Sequence, residues 1–245
     1  MSKNFYNKLI TIILLVLAFI LESPIWVYII ILLVFLGVFY WGIFDIRLGY
    51  FVRTICSNNS LKTKYITLSF DDGPTTLTPL FLDLLKKYQA KAIFFCIGKN
   101  IENYPEIVLR IKEEGHLIGN HTFSHNPRNC FISTQNFVNE IQKTDNALKQ
   151  LGIETQLFRP PYGITNPHIA KAIILTKKKV IGWNIRSLDT IITDEDKLYH
   201  RIINKITDKN IILMHDTSEK TLRVLERLLI FLEKNNFKTT NSVKI

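Results

Sequence analysis

The segment Tyr65-Ile-Thr-Leu-Ser-Phe-Asp-Asp-Gly-Pro74 carries most of the information about how this chain folds. Apart from Ser69, its first six residues are β-branched, aromatic or apolar, which is typical of a buried strand. The chain then leaves this strand through two adjacent carboxylates and a Gly-Pro turn. If the fold is of the α/β class, these carboxylates lie where such folds carry their chemistry, at the carboxyl ends of the strands.

Apolar runs alternate with helix-like segments on the carboxyl side of this strand. Further strands are predicted at 92–97, 116–119, 157–158, 179–183 and 210–214. Helices are predicted at 79–87, 105–114, 133–151, 167–175, 193–208 and 218–234. This alternation predicts a parallel α/β sheet or barrel over 62–245, and these residues are enough to bury one sizeable core.

The amino-terminal part of the chain is strongly apolar and predicts a membrane segment at 1–45. Ile25–Phe44 contains no charged residue, and about 20 apolar residues span a bilayer as a helix. A shorter apolar run precedes it, and Glu22-Ser23-Pro24 separates the two. We therefore expect a hairpin of two transmembrane helices at about 5–21 and 25–44, followed by a linker at 46–61. A cleaved signal peptide is not expected, because no small-x-small cleavage site follows the first run.

The charges that flank the hairpin favour one orientation, which changes if only the second apolar run spans the membrane. Lys3 and Lys8 precede it, Arg47 and Arg53 follow it, and the turn contains only Glu22. The positive-inside rule then places both flanks, and the domain that follows, in the cytoplasm. If only the second run spans the membrane, the domain lies outside. Membrane lipid is a partner in either arrangement.

Composition excludes several other classes of protein. The 245 residues have a net charge of +10, but the lysines are scattered and form no long basic run. We therefore expect a solvated basic surface and no nucleic-acid partner, because no nucleic-acid-binding module is recognisable. The three cysteines contain no CxxC pair, which argues against a disulfide framework. Cys96 lies within a predicted strand and is expected in the core.

Titratable side chains follow several predicted strands, and four of them could form a metal site with a base beside it. Asp71 and Asp72 leave their strand in opposite directions, so one could bind a metal while the other faces a substrate; alternatively they form only a turn. His121 and His125 are spaced i, i+4, which places both rings on one side of a helical turn. With Asp72 they would suit zinc with an open fourth position. Otherwise, one is a core histidine and the other a surface histidine.

The loop Arg159-Pro160-Pro161-Tyr162-Gly163 follows the strand at 157–158. Its two prolines fix φ and remove two N–H donors, so the N–H of Tyr162 could point at a developing oxyanion. Arg159 could hold a carboxylate, although an ordinary turn with a surface arginine is the alternative.

His215 follows a buried strand and could protonate a leaving amine, with Asp189 orienting it and raising its pKa; the alternative is a histidine of the core. His116, His168 and His200 lack such neighbours and are expected to be structural or on the surface.

Five ordered motifs resemble those of the polysaccharide deacetylase family (NodB homology domain, carbohydrate esterase family 4). They are Leu68–Pro74, His121–His125, Arg159–Gly163, Trp183–Asp189 and Leu213–Asp216. The resemblance implies a distorted (β/α)7-type barrel and a metal-dependent hydrolase that removes N-acetyl, sometimes O-acetyl, groups from sugars. The resemblance implies that Asp72, His121 and His125 are metal ligands. It implies Asp71 as catalytic base, held by Arg159, and His215 as general acid, with Asp189 as its partner. It also implies that the Tyr162 N–H is an oxyanion donor and that Leu213, Pro160 and Tyr162 bind the substrate.

The fourth motif departs from the family pattern. Asp189 is followed by Thr190 where the family usually has a tryptophan that closes the pocket for the acetyl methyl group. Trp183 is expected in the core and not as a substitute. The sequence thus predicts a membrane-anchored N-deacetylase of a glycan or glycolipid that uses a divalent metal, Zn²⁺ foremost, with Co²⁺ suited to the same ligands. The alternatives are a deformylase or O-deacetylase of a lipid-linked sugar, and a non-catalytic glycan-binding membrane module.

Overall fold

The computed structural model describes residues 2–58 and 64–242. In the order of the chain, its helices and strands are α1 (Lys3–Ile20), α2 (Ile25–Phe44), β1 (Thr54–Ile55), β2 (Tyr65–Asp71), α3 (Thr78–Lys87), β3 (Ala92–Cys96), α4 (Gly98–Asn103), α5 (Pro105–Glu113), β4 (Leu117–Asn120), α6 (Thr134–Gln150), β5 (Leu157–Phe158), α7 (Pro167–Leu175), β6 (Lys179–Ile181), β7 (Ile185–Arg186), α8 (Glu195–Ile203), β8 (Ile211–His215), α9 (Glu219–Lys234) and β9 (Lys238–Thr239).

The strands form one curled parallel sheet. Its order is β1-β6-β5-β4-β3-β2-β8-β7, and β9 pairs with β2 beside this path. The predicted α/β class is confirmed, and the sheet is the half-barrel of NodB-like proteins. The path contains eight strands where the resemblance implied seven, and its edges are β1 and β7.

The predicted elements do not include helix α4 or the short strands β1, β7 and β9. The strand predicted at 179–183 ends at Ile181, and the separate strand β7 follows at Ile185–Arg186. The edge strand β1 was not predicted either. Strands of two residues are too short to produce an alternating pattern, so periodicity cannot identify them.

Side chains alternate between the two faces of the central strands, as the two-residue period of a strand requires. Ile66, Leu68 and Phe70 of β2 lie in the core layer that contains α3, α5, α8 and α9. Leu213 of β8 lies in the opposite layer, with residues of α6 and α7. The same alternation places Asp71 and His215 on this second face, at the ends of their strands.

The amino-terminal helices pack against each other as an antiparallel hairpin. Both are long and apolar enough to cross a membrane, and only 6% of the apolar stretch of each helix is buried. The start of α1 lies near the end of α2, because Asn4 N donates to Tyr50 O at 3.0 Å and Asn7 Nδ2 donates to Tyr50 Oη at 2.6 Å. The two ends of the hairpin therefore meet on the side of the sheet domain.

The segment after the hairpin, predicted as a linker, is closely packed on the sheet domain over residues 46–58. Ile46 is 2% exposed and belongs to the core layer on the α7 side. Thr54 and Ile55 of β1 pair in parallel with Val180 and Ile181 of β6. The hairpin therefore meets the domain through a short ordered segment that completes one edge of the sheet.

Candidate active site and metal centre

Asp71 and His215 are neighbours at the carboxyl ends of two adjacent parallel strands. They are register partners across β2 and β8. Because β2 lies between β3 and β8 and is 0–1% exposed from Ile66 to Phe70, its last residue is held rigidly. The sheet thus places a carboxylate and an imidazole side by side at the edge where parallel α/β folds carry their sites.

Arg159 is fully buried and holds one oxygen of Asp71. Its Nη1 donates to Asp71 Oδ1 at 2.6 Å, while Nε and Nη2 donate to the carbonyls of Ile181 and Gly182 at 2.9 Å each. The guanidinium lies 4.1 Å from the ring centroid of Phe95. The ion pair leaves Asp71 Oδ2 available, at 3.7 Å from His121 Nε2.

The main chain of Arg159 also orients His121. His121 Nδ1 lies 2.7 Å from the carbonyl oxygen of Arg159. Since a carbonyl only accepts, Nδ1 carries the proton and Nε2 keeps its lone pair. This is the arrangement in which a neutral histidine binds a metal through Nε2.

Two of the expected local geometries differ from the structure. Asp72 does not point away from Asp71: its φ of 73° turns its carboxylate back toward His121. His121 and His125 are not on a helical turn, because Thr122 has a φ of 64° and His125 a φ of 48°. The rings nevertheless lie 4.8 Å apart. Left-handed backbone, which the sequence does not reveal for non-glycine residues, therefore brings these groups together.

Asp72, His121 and His125 fit a metal ion. Asp72 Oδ1 lies 3.5 Å from His121 Nε2 and 3.3 Å from His125 Nε2. Ligand atoms bound at about 2.1 Å in a tetrahedron lie about 3.4 Å apart, so the separations match. Asp72 Oδ1 is buried and has no hydrogen-bond partner among the described residues, which is costly unless a ligand satisfies it. Burial, with the nearby His121, lowers the pKa of His125 to about 4, so its lone pair is free at pH 7.

Asp189 is the partner of His215. Its Oδ1 accepts from His215 Nδ1 at 2.8 Å, and its Oδ2 accepts from the main-chain N–H of His215 at 2.7 Å. Burial alone would lower the pKa of His215, but the hydrogen bond and charge of Asp189 outweigh it and raise the pKa to about 9. The pKa of Asp189 falls below its usual value, because the bonds to His215 outweigh its own burial. His215 is therefore a cation at neutral pH, with Nε2 at 3.9 Å from Asp72 Oδ2.

The Pro160–Gly163 loop forms the rim beside His125. Pro160 is buried, and Tyr162 is 43% exposed with a φ of 60°. Tyr162 Oη donates to the carbonyl of His125 at 3.2 Å. Gly163 has a φ of 71°, and a β-carbon there would lie 2.4 Å from the Trp183 ring. Glycine is thus required where the loop crosses Trp183. Trp183 itself is 7% exposed and lies in the core, as predicted.

The remaining predicted residues lie as follows. Leu213 is 3% exposed and lies on the same face of β8 as His215. Thr190, the departure from the family motif, is exposed at the other rim. His116 is buried and accepts from Ala92 N at 3.2 Å, while His168 and His200 are exposed and outside the site.

Several supporting residues were missed by the sequence analysis. Ser187 Oγ donates to Asp189 Oδ1 at 2.7 Å, and Thr221 Oγ1 donates to Asp189 Oδ2 at 3.1 Å. Lys220 Nζ donates to the carbonyl of Asp189 at 2.6 Å. Ser187 could have been noticed as a Ser-x-Asp turn. Thr221 and Lys220 stand in an ordinary helix start, and nothing in their local sequence distinguishes them.

Comparisons with known proteins identify relatives of this chain. A family model described as polysaccharide deacetylase matches residues 58–179. Two peptidoglycan-N-acetylglucosamine deacetylases of Bacillus cereus are similar: one is 36% identical over 62% of this chain and 56% of its own length, and the other is 30% identical over 71% of this chain and 84% of its own. The chain thus spans about half the length of the first of these relatives.

A solved structure extends the similarity to three dimensions. The peptidoglycan deacetylase PdaC from Bacillus subtilis superposes with a TM-score of 0.68 and 30% identity, over 73% of this chain and 89% of the other. The sheet, the site and these relatives lead to the same assignment: the chain belongs to the polysaccharide deacetylase family.

Proposed function

We propose that this chain is a membrane-anchored, metal-dependent hydrolase that removes N-acetyl groups from amino sugars of a glycan or glycolipid. The observation that supports it most directly is the convergence of three kinds of group. Asp71 Oδ2 and Asp72 Oδ1 both lie within 3.7 Å of His121 Nε2, and the cationic His215 reaches toward the same point from the neighbouring strand. A base, a metal site and an acid are the parts that amide hydrolysis requires.

Asp72, His121 and His125 would hold the metal. When bound there, a divalent ion lowers the pKa of a coordinated water and polarises the amide carbonyl. Zn²⁺ is the metal we propose, because two imidazoles and one carboxylate with an open position are typical of catalytic zinc; Co²⁺ suits the same donors.

Asp71 acts as the base in this proposal. Arg159 holds Oδ1, so Oδ2 accepts the proton of the attacking water. The backbone N–H of Tyr162 donates to the oxyanion that develops on the carbonyl oxygen. As the C–N bond breaks, His215 gives its Nε2 proton to the departing nitrogen, and acetate and a free amine are the products.

The substrate class follows from the relatives. Both Bacillus cereus proteins are peptidoglycan-N-acetylglucosamine deacetylases by name, so an N-acetylated glycan is the substrate we propose first. Pro160, Tyr162 and Leu213 would contact it. Thr190, where the family usually has a tryptophan, and the 67% exposed Ile191 supply no aromatic ring themselves, which favours testing formyl and ester substrates as well.

We also propose that α1 and α2 span the membrane as one unit, residues 1–45, and that 62–245 is the catalytic domain. The ends of the hairpin meet at Tyr50, so both would emerge on the side of that domain. A cytoplasmic domain would act on a lipid- or nucleotide-linked amino sugar, and an outward domain on a polymer. Accessibility of a carboxyl-terminal tag in intact cells distinguishes the two.

The test is acetate release from N-acetylglucosamine oligomers by the full chain in detergent micelles. The full chain is required, because a fragment that begins after residue 61 would lose Ile46 and β1 from the folded domain. We expect release that stops on chelation, returns with zinc and is lost in Asp71→Asn. Asp208→Asn, an exposed acid outside the site, is the matched control and should remain active.

Parallel assays with N-formyl and O-acetyl sugars test the acyl group. Release from formyl substrates alone would replace the acetyl assignment and keep the hydrolase. A folded chain that binds one metal ion tightly but releases no acyl group from any of these sugars would contradict the proposed activity and favour a glycan-binding module.

A further inference from the structure

The end of the membrane hairpin is bonded directly to the loop that follows the candidate active site. Thr165 N donates to the carbonyl of Ile43 at 3.1 Å, and Thr165 Oγ1 donates to the carbonyl of Gly42 at 3.3 Å. These carbonyls belong to the last turn of α2, which has no partners of its own within the helix. The sheet domain therefore caps the transmembrane helix and is held at its end.

Apolar packing strengthens this junction. Ala170 of α7 forms one buried cluster with Ile43, Tyr50 and Phe51. The ring centroids of Tyr50 and Phe51 lie 4.7 Å apart, nearly perpendicular. Ala170 therefore holds α7 against the end of α2, where the membrane would end.

A second segment is tied to the same place. Asn166 Nδ2 donates to the carbonyl of Cys130 at 2.6 Å, which fixes the 3₁₀ turn Pro127–Phe131 beside the start of α7. Residues 126–136 and 160–179 are thus two connected segments beside the α2 end, and we call their exposed side chains the α7 surface.

The α7 surface has the composition of a membrane interface. Neither of its segments contains an aspartate or glutamate, and together they contain Arg128, Lys171, Lys177, Lys178 and Lys179. Lys178 is paired with Asp145, while the other four are exposed. Basic side chains near a bilayer are attracted to anionic headgroups.

Exposed apolar side chains concentrate on the same surface. Seven large hydrophobic side chains are exposed in the part of the chain that the structure describes after the hairpin, and four of them lie here. They are Phe131 at 69%, Tyr162 at 43%, Ile174 at 72% and Leu175 at 59%. Ile174 lies one turn after Ala170, so it is on the face of α7 that contacts the end of α2.

We propose that the α7 surface rests on the lipid headgroups of the membrane that α1 and α2 cross, with Phe131 and Ile174 entering the interfacial layer. This inference rests on the membrane-spanning part of the proposed function. The occupant is the bilayer, because the surface continues directly from α2 and combines basic with apolar side chains. The rim residue Tyr162 would then lie at the membrane surface, and the site would receive substrates held close to it.

The test uses spin labels on the full chain in nanodiscs of phosphatidylcholine and phosphatidylglycerol. Single cysteines replace Phe131 or Ile174 in a Cys56→Ser background, since Cys96 and Cys130 are buried. Leu80→Cys on α3 is the matched control, because it is an exposed leucine on the opposite side of the sheet. Accessibility to a water-soluble nickel complex and to oxygen is measured for each label.

We expect the labels at 131 and 174 to be at least several-fold less accessible to nickel than the label at 80, and more accessible to oxygen. Equal nickel accessibility at all three positions would overturn the proposal. A label at Leu33, 61% exposed on α2, separates the two hypotheses. If it is exposed to water, the membrane-spanning hairpin fails as well; if it is in lipid while 131 and 174 are in water, only the α7 surface proposal fails.

Discussion

The candidate site contains two aspartate–histidine groups that differ in how their carboxylates are satisfied. Asp189 receives Ser187 Oγ, Thr221 Oγ1 and both nitrogen donors of His215. Asp72 Oδ1, in contrast, has no hydrogen-bond partner among the residues that the structure describes. A carboxylate whose bonds are complete supports another protein group, whereas a buried oxygen without one needs a ligand from outside.

Arg159 connects the candidate metal group to Asp71, the proposed base, and its loss should have the largest effect. Arg159→Met leaves Asp71 as a buried charge without a partner and removes two bonds to main-chain carbonyls. We expect a loss of about 5 kcal/mol in the free energy of unfolding, measured by urea denaturation in detergent. Arg110→Met removes ion pairs to Asp83 and Glu114 and should cost less than about 1 kcal/mol. Similar losses in both variants would contradict the structural role of Arg159.

Mutation of the group that contains Asp72, whose Oδ1 lacks a hydrogen-bond partner among the described residues, should have the next largest effect. His121→Ala removes a proposed metal ligand, whose Nδ1 donates to the Arg159 carbonyl and whose Nε2 faces Asp72. We expect metal binding to be lost, together with about 10³-fold in kcat/KM, since metal catalysis contributes several kcal/mol. Metal content by mass spectrometry and acetate release are the two measurements. His200→Ala, on an exposed face of α8, should keep both; an unchanged metal content in His121→Ala would remove it from the ligand set.

Mutation of the Asp189–His215 group should change the pH profile of activity and leave the metal content unchanged. In Asp189→Asn, His215 loses the charge that raises its pKa to about 9, and burial then lowers it. The protonated acid is present below this pKa, so the alkaline limb of kcat/KM should move from near pH 9 to below about 6.5. At pH 8 we expect a loss of about 10²-fold, with metal content unchanged. An alkaline limb that stays in place would separate Asp189 from the function of His215.

The smallest effect should come from one of the donors to Asp189. Thr221→Val removes a single hydroxyl bond of 3.1 Å, and the other three donors remain. We expect a loss of about 1 kcal/mol in the free energy of unfolding and less than about tenfold in kcat/KM. Thr176→Val, whose hydroxyl bonds only to its own helix, is the control. A pH profile as altered as that of Asp189→Asn would mean that Thr221 alone controls this carboxylate.

Local sequence was enough to predict the elements that have a clear pattern. Helix α6 begins after Ser133, in agreement with the helix predicted at 133–151, and Ser133 Oγ accepts from Asn136 N at 3.3 Å as its N-cap. The strands β1 and β7 were missed, because two residues cannot establish a period. The segment from 46 was predicted as a linker, and only the fold shows that Ile46 and β1 pack against the sheet.

The sequence by itself determined the parallel α/β class, the apolar hairpin and the set of polar residues at the strand ends. These three features depend on residue type and short-range spacing, which are both contained in short stretches of the sequence. Only the tertiary structure decided how the set converges. The left-handed φ of Asp72, the proton on His121 Nδ1 and the contact between Thr165 and the end of α2 all depend on positions distant in the chain. Asp71 and Arg159 are 88 positions apart, and folding alone brings them to 2.6 Å.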